Sequence, residues 1–153
     1  NKGLTKNDNA SLKKVSIANS GQNNPAKQNW VRIKIRLAKQ QEIIDKNGNI
    51  CPNYNLLSIN YLDWLQMYYG FDDLQHAEKS GEYRCLDLGY FFDGYSKKHN
   101  VVIEFYEREH YNSDGTLNET TLKREMEIIS LYNPIFIRIH AFNKNNVWLE
   151  RVS

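Results

Sequence analysis

The sequence predicts an α+β fold with α/β-like character, in which helices flank a mixed β-sheet. Three observations carry that expectation. The hydrophobic period is helical up to about residue 69 and turns strand-like from Gly81 onward. The elements after Gly81 then run strand, strand, helix, strand, the order of a mixed sheet with a crossover helix. Finally, 153 residues with 41% hydrophobic content suffice for one real core but not for two.

Taken in order, residues 1–29 are rich in Asn, Ser and Lys and nearly devoid of large apolar side chains, which predicts a basic, extended and flexible arm. The remaining segment, 30–153, is expected to be the folded domain. "WVRIKIRLAKQQEIIDK" (30–46) places Ile33, Leu37 and Ile44 at helical spacing before a stop at "NGN", although "VRIKIR" would also alternate as a strand. "CPNYNLLSINYLDWLQMYYG" reads as a second helix entered at Pro52 or Asn53 and ended by Gly70, with Leu57, Tyr61, Trp64, Leu65 and Tyr68 on its core face. "EYRCLDLGYFFDGY" gives one or two short strands around Gly89, "SKKHN" a turn, and "NVVIEFYE" a β-branched strand. After the loop "SDGT", "NETTLKREMEIISLY" is a capped helix with Leu122, Met126 and Ile129 in register, stopped by Pro134. "IFIRIH" is a further strand, with Arg138 and His140 at its end.

The formal charge of +2 and a pI near 8.5 demand no polyanionic partner by themselves. Their distribution is more informative. Lys13, Lys14, Lys27, Arg32, Lys34, Arg36 and Lys39 load the first third with positive charge, which makes it the expected contact for a phosphate backbone. Cys51 and Cys85 lack metal or disulfide spacing and are expected to be reduced, buried thiols. No apolar run has the length of a membrane span and no signal region opens the chain, so a soluble, cytoplasmic, non-secreted protein is expected. A start at Asn1 is expected of a fragment of a longer chain.

Chemistry is most concentrated in "DGYSKKHNVVIEFYEREHY". Asp93 precedes the turn, and Glu104 closes the apolar strand that follows it. In a hairpin the two carboxylates would converge at one sheet edge, and two carboxylates plus substrate oxygens are a sufficient Mg²⁺ site. The structural alternative is a turn aspartate and a solvated strand end. Glu82, Glu107, His110 and Arg124 add ionisable groups that are costly to gather beside a sheet unless paired or used.

These same residues carry a family resemblance. "HAEKSGEYRCLDLGYFFDGYSKKHNVVIEFYEREHY" and "LKREMEIISLYNPIFIRIH" together resemble homing-type endonucleases of phages and giant viruses, in the PD-(D/E)xK superfamily. The branch is the one related to very short patch repair endonuclease and described by the letters EDxHD. The likeness covers about residues 50–140 and implies a restriction-endonuclease-like core.

By that resemblance Glu82 is the helper glutamate, Asp93 the metal-binding aspartate, Glu104 the second acid, His110 the histidine and Arg124 the helix arginine. Asp93 and Glu104 would hold Mg²⁺, with Mn²⁺ able to substitute. "SLKKVSIANSGQNNP" loosely resembles a modular DNA-binding motif of homing endonucleases. The chain departs from the pattern at Tyr106, where the family has Asp and the wider superfamily Lys, and at Thr121, where the helix pattern has Asp.

The expected function is therefore a metal-dependent endodeoxyribonuclease acting on double-stranded DNA in the host cell of a phage or virus. Glu107 or another nearby polar group is expected to compensate at Tyr106, and double-strand cleavage would imply a homodimer or sequential nicking. The alternatives are a catalytically decayed DNA-binding module of the same fold and, behind it, an RNA-processing nuclease.

Overall fold

The computed structural model describes residues 28–153. Lys13, Lys14 and Lys27, with the expected arm and its motif, lie outside the described residues. The chain divides into two compact units, one ending at Gly48 and one comprising Asn49–Ser153.

In the first unit, helix α1 (Asn29–Asn47) settles the ambiguity of "VRIKIR" in favour of a helix. It ends at Gly48, whose φ of 79° is readily adopted only without a Cβ and whose amide donates to the Ile44 carbonyl at 2.7 Å. Spaced four and three apart, Arg32, Arg36 and Lys39 fall on one side of it, and the Lys34 ammonium lies 5.0 Å from the Trp30 ring centre.

The second unit contains helix α2 (Leu56–Tyr69), strands β1 (Tyr83–Cys85) and β2 (Tyr90–Phe92), and strands β3 (Gly94–Ser96) and β4 (Val101–Tyr106). A single 3₁₀ turn (Arg108–His110), helix α3 (Glu119–Tyr132) and strands β5 (Ile135–Asn143) and β6 (Asn146–Arg151) follow. β1 and β2 make a two-stranded ribbon, while β3, β4, β5 and β6 form a four-stranded sheet in that order. β4 and β5 are parallel and joined through α3; the other pairings are antiparallel. The sheet is therefore mixed, as expected. β6 was not anticipated, because "NVWLER" is largely exposed and its alternation is weak.

β4 is buried along its whole length, and its two faces differ sharply. Val101, Ile103 and Phe105 join Ile137, Ile139 and Ala141 of β5 under Leu62 and Leu65 of α2, an apolar layer. On the opposite face Val102, Glu104 and Tyr106 stand beside Phe136, Arg138 and His140 in register, and α3 covers them through Thr121, Glu125 and Ile128. A run that reads as a plain core strand thus carries acid chemistry on one side only.

Several burial expectations are corrected. On α2 the buried stripe is Ser58, Ile59, Leu62 and Leu65, while Trp64 and Tyr68 are 41% and 66% exposed. Leu57, Tyr61 and Leu65 do pack on the core as expected, but the helix is apolar nearly all round, and Ile59 and Leu62 take the inward places expected of Trp64 and Tyr68. On α3, Leu122 and Met126 are exposed, because buried partners satisfy the polar side chains that face the sheet. Cys85 is buried but Cys51 is exposed. α2 is entered at Leu56, with the Asn55 side chain accepting from the Leu57 amide at 2.8 Å.

Gly94 fixes the spacing between α2 and the sheet. A Cβ there would come within 2.6 Å of Leu62 Cδ2 and 3.1 Å of Ile103 Cβ, atoms held in the packed layer. Gly94→Ala is expected to lower unfolding free energy by about 1–3 kcal/mol through overpacking, measured by urea denaturation. An unchanged midpoint would show that α2 shifts freely.

Candidate active site

The site is assembled by strand register. Tyr83 pairs with Phe92 and Gly94 with Ile103, so Glu82, Asp93 and Glu104 fall opposite one another along one line across the strands; Glu104 lies within β4, which continues to Tyr106, and does not close the strand as expected. The chain bends at Asp93, where the β1–β2 ribbon parts from the main sheet. There Asp93 Oδ2 accepts from the Phe105 amide at 2.7 Å, which fixes the carboxylate at the end of β4. The hairpin expected from sequence is the β3–β4 pair, turned through Lys97–Asn100.

Glu104 is 2% exposed and faces α3, where the Arg124 guanidinium lies 3.0 Å from Oε1 and 2.8 Å from Oε2. The same nitrogen donates to the Phe91 carbonyl, and the guanidinium sits 4.8 Å from the Tyr90 ring centre. One arginine therefore ties α3 to both β2 and β4.

His110 ends the 3₁₀ turn after β4. Its Nδ1 is 3.1 Å from Thr121 Oγ1, and its ring rests against Tyr106 with centroids 4.9 Å apart. Asn118 locks this arrangement: its side chain caps α3 by accepting from the Thr121 amide, and its amide donates to the His110 carbonyl. With Nδ1 held by Thr121, Nε2 is the ring nitrogen left for the cleft.

Glu82, Asp93, Glu104, His110 and Arg124 all line one polar cleft of about 350 Å³, together with Glu107 and Glu109. Sequence positions 42 residues apart are thus brought to one surface. Tyr106 does not enter this cleft. It is fully buried on the far side of His110, where its hydroxyl donates to Glu125 Oε1 at 2.7 Å. Burial and the neighbouring acids push its phenol far above the usual range, so it stays neutral. Glu107, by contrast, lines the cleft and accepts from the Asn55 side chain. The Asn55–Glu107 contact left no signal in the sequence beyond a capping residue.

The electrostatics are those of crowded acids. Burial, then the Asp93 charge, pushes the Glu82 carboxyl up to about 7 against the pull of Arg124. Burial pushes Glu104 up to about 8, with Arg124 opposing and Asp93 and Glu82 adding to the rise. Asp93 is raised by burial against the Phe105 amide and Arg124. Burial works against the Arg124 charge, but Glu104 and Asp93 outweigh it and hold the guanidinium charged. His110 is lowered by burial, against the pull of Asp93. A proton, a guanidinium or a cation can each relieve the repulsion among the three acids.

The donor set fits a hard divalent cation. Asp93 and Glu104 offer carboxylate oxygens, the donor type such a cation takes, in a polar cleft, and a cation there would take the place of Arg124, which holds both oxygens of Glu104. Elsewhere among the described residues, Asp72, Asp73 and His99 bring ligand atoms within 4.8 Å of one another. Asp72 there already pairs with Lys98 at 2.8 Å, and Asp73 accepts from Ser96 and the Lys98 amide.

A glutamate raised in the fold contributes stability below its unfolded value, and that contribution is lost as pH climbs through its folded value. For Glu82 the window runs from the ordinary glutamate range, near 4.5, to about 7. Glu82→Gln is therefore expected to raise Tm at pH 8 and to leave it nearly unchanged at pH 4. Equal shifts at both pH values, read by calorimetry, would refute the raised titration of Glu82. No protein-family model, curated protein or solved structure matches this chain.

Proposed function

We propose that the chain is a metal-dependent DNA endonuclease with a restriction-endonuclease-like core, hydrolysing phosphodiester bonds in this cleft. The observation that carries the reading is the convergence of Glu82, Asp93, Glu104, His110 and Arg124 on one polar cleft at the end of β4. Mg²⁺, or Mn²⁺ in its place, held by Asp93 and Glu104, would polarise the phosphodiester and make its attacking water more acidic.

The chain's own groups supply the rest. His110 is the proton acceptor, with Nε2 turned to the cleft and the imidazole kept neutral by burial. Thr121 holds Nδ1 and so sets the orientation of the ring, in the place where the resembling family has an aspartate. Arg124 sits where a phosphate bound at Glu104 would gather charge. Glu82 supports the site as a third carboxylate.

Tyr106 leaves these roles intact, because its side chain packs behind the cleft rather than in it. Arg32, Lys34, Arg36 and Lys39 of α1 fit sequence-independent contact with the DNA backbone. One cleft cuts one strand, so double-strand cleavage calls for two copies or successive nicks.

A second reading, a DNA-binding module without cleavage, draws on the Arg124–Glu104 pair, which already satisfies both oxygens of one proposed metal ligand. The two readings separate in one experiment. Supercoiled plasmid and long linear DNA are incubated with Mg²⁺, Mn²⁺ or EDTA, comparing wild type with Glu104→Ala and Asp93→Asn. The nuclease nicks or linearises DNA only with metal, and each variant loses on the order of 100-fold or more in rate while retaining DNA binding. Metal-independent binding without cleavage would establish the binding module instead.

Thr121→Asp supplies His110 with a charged partner and is expected to raise the imidazole pKa. The acid limb of the pH–rate profile should then move to higher pH. An unmoved limb, with cleavage retained, would remove His110 from proton transfer.

A further inference from the structure

A second cleft, of about 420 Å³, opens beside the catalytic one and shares Pro52, Tyr54, Glu82 and Phe91 with it as a common wall. Its size lies within the range of small-molecule sites, about 300–1,000 Å³. On its own side it adds Ile50, Cys51, Ala77, Ser80, Gly81 and Arg84. Arg84 and Phe91 are cross-strand partners on the β1–β2 ribbon, so an arginine and an aromatic ring project from the same face of it. The Tyr54 phenol donates to Glu78 Oε1 at 3.0 Å, which limits the freedom of that ring.

The lining is mostly apolar, with Tyr54 and Phe91 as its aromatic members and Ser80, Glu82 and Arg84 as its polar ones. A phosphate would find too little to bind there, whereas a nucleobase has flat apolar faces and a polar rim that match both parts. Because the wall is shared with the catalytic cleft, any base lodged in it belongs to a nucleotide adjoining the scissile phosphate. Resting on the nuclease reading above, we infer that this cleft receives, unstacked from the duplex, the base of the nucleotide next to the bond that is cut. Tyr54 and Phe91 provide the stacking surface, and the Arg84 guanidinium faces acceptor atoms on the base edge. The cleft thereby adds a base preference beside the cut to a site whose other contacts are to the backbone.

The test uses the full chain and duplexes centred on a cut mapped in plasmid DNA. 2-Aminopurine is placed in turn at each nucleotide flanking the cut, and fluorescence is read with Ca²⁺ in place of Mg²⁺. One flanking position is expected to change on binding. Ala77→Trp and, independently, Ile50→Trp fill the cleft from its walls away from Asp93, Glu104, His110 and Arg124, and each should abolish that change. Each should also slow cleavage of the intact duplex by about tenfold, the loss of roughly one base-stacking contact, yet cut near the wild-type rate when that nucleotide is abasic.

Wild-type cleavage without a fluorescence change at any position would overturn the base pocket while leaving the nuclease standing. So would filled-cleft variants that cut the intact duplex at full rate, or that slow equally on intact and abasic DNA while melting like wild type. Absence of Glu104-dependent cleavage in the wild type takes down the nuclease reading itself, and this proposal with it.

Discussion

The interaction on which the site depends is the ion pair between Arg124 and Glu104. Glu104 is almost wholly withdrawn from water, and a carboxylate in that position is tolerable only with a charge or a proton beside it. Arg124 supplies the charge from α3, and the same guanidinium holds the Phe91 carbonyl and lies against the Tyr90 ring. The place of the β1–β2 ribbon against the main sheet, and with it the place of Glu82 and Asp93, is set partly by this one side chain. Arg124 can leave Glu104 only if a proton or another positive charge replaces it there. Under the proposed function that exchange is an advantage, since the guanidinium released from the carboxylate is already beside the phosphate it would neutralise.

A second polar network holds the far side of α3. Tyr106 and Arg138 both donate to Glu125, Arg138 continues to Glu150 at 2.9 Å, and Glu150 meets His140 Nε2 at 2.9 Å. The chain of contacts ends at Tyr111, whose hydroxyl lies 2.6 Å from His140 Nδ1. Glu125 follows Arg124 directly in α3, so the helix is gripped at two neighbouring residues, one on the cleft and one on the sheet. This gives a physical reason for Tyr106. A hydroxyl that reaches Glu125 and a ring that backs His110 serve the framework of the site, and a lysine or aspartate at the same position would meet Glu125 quite differently.

How much was legible in the sequence followed from how local each signal was. "DGY" showed the acid Asp93, but not the close approach at Gly94, because Leu62 and Ile103 meet that position from distant parts of the chain. The strand at 101–106 was readable from β-branching, and the five cleft residues from their charge density around it. What failed was the edge of each buried face. α2 is apolar on nearly every side, so no spacing could say that Leu62 faces inward while Trp64 and Tyr68 face out. α3 misled for the opposite reason: Thr121 and Glu125 are inside because His110, Tyr106 and Arg138 await them from elements up to 19 residues away, the separation of Tyr106 from Glu125. The weight of Thr121 was hidden for the same reason, since a threonine within a helix gives no sign that it orients a histidine.

The crowding of acids bears on why such a cleft exists at all. Glu82, Asp93 and Glu104 are each raised above the ordinary carboxylate range, chiefly by burial and secondarily by neighbouring acids, which means that near neutral pH the fold carries a cost it could shed by exchanging one acid for an amide. A surface that only had to contact DNA would be better served by fewer negative charges facing a polyanion. The apolar layer between α2 and the sheet supplies the stability that tolerates the arrangement, and the bend at Asp93 brings the third acid into line with the other two. Carboxylates held at that expense, one of them under a displaceable arginine and all beside a neutral histidine, make physical sense around a bound cation and a phosphate. They make little sense around bare DNA, and for that reason cleavage stands ahead of binding alone in the proposed function.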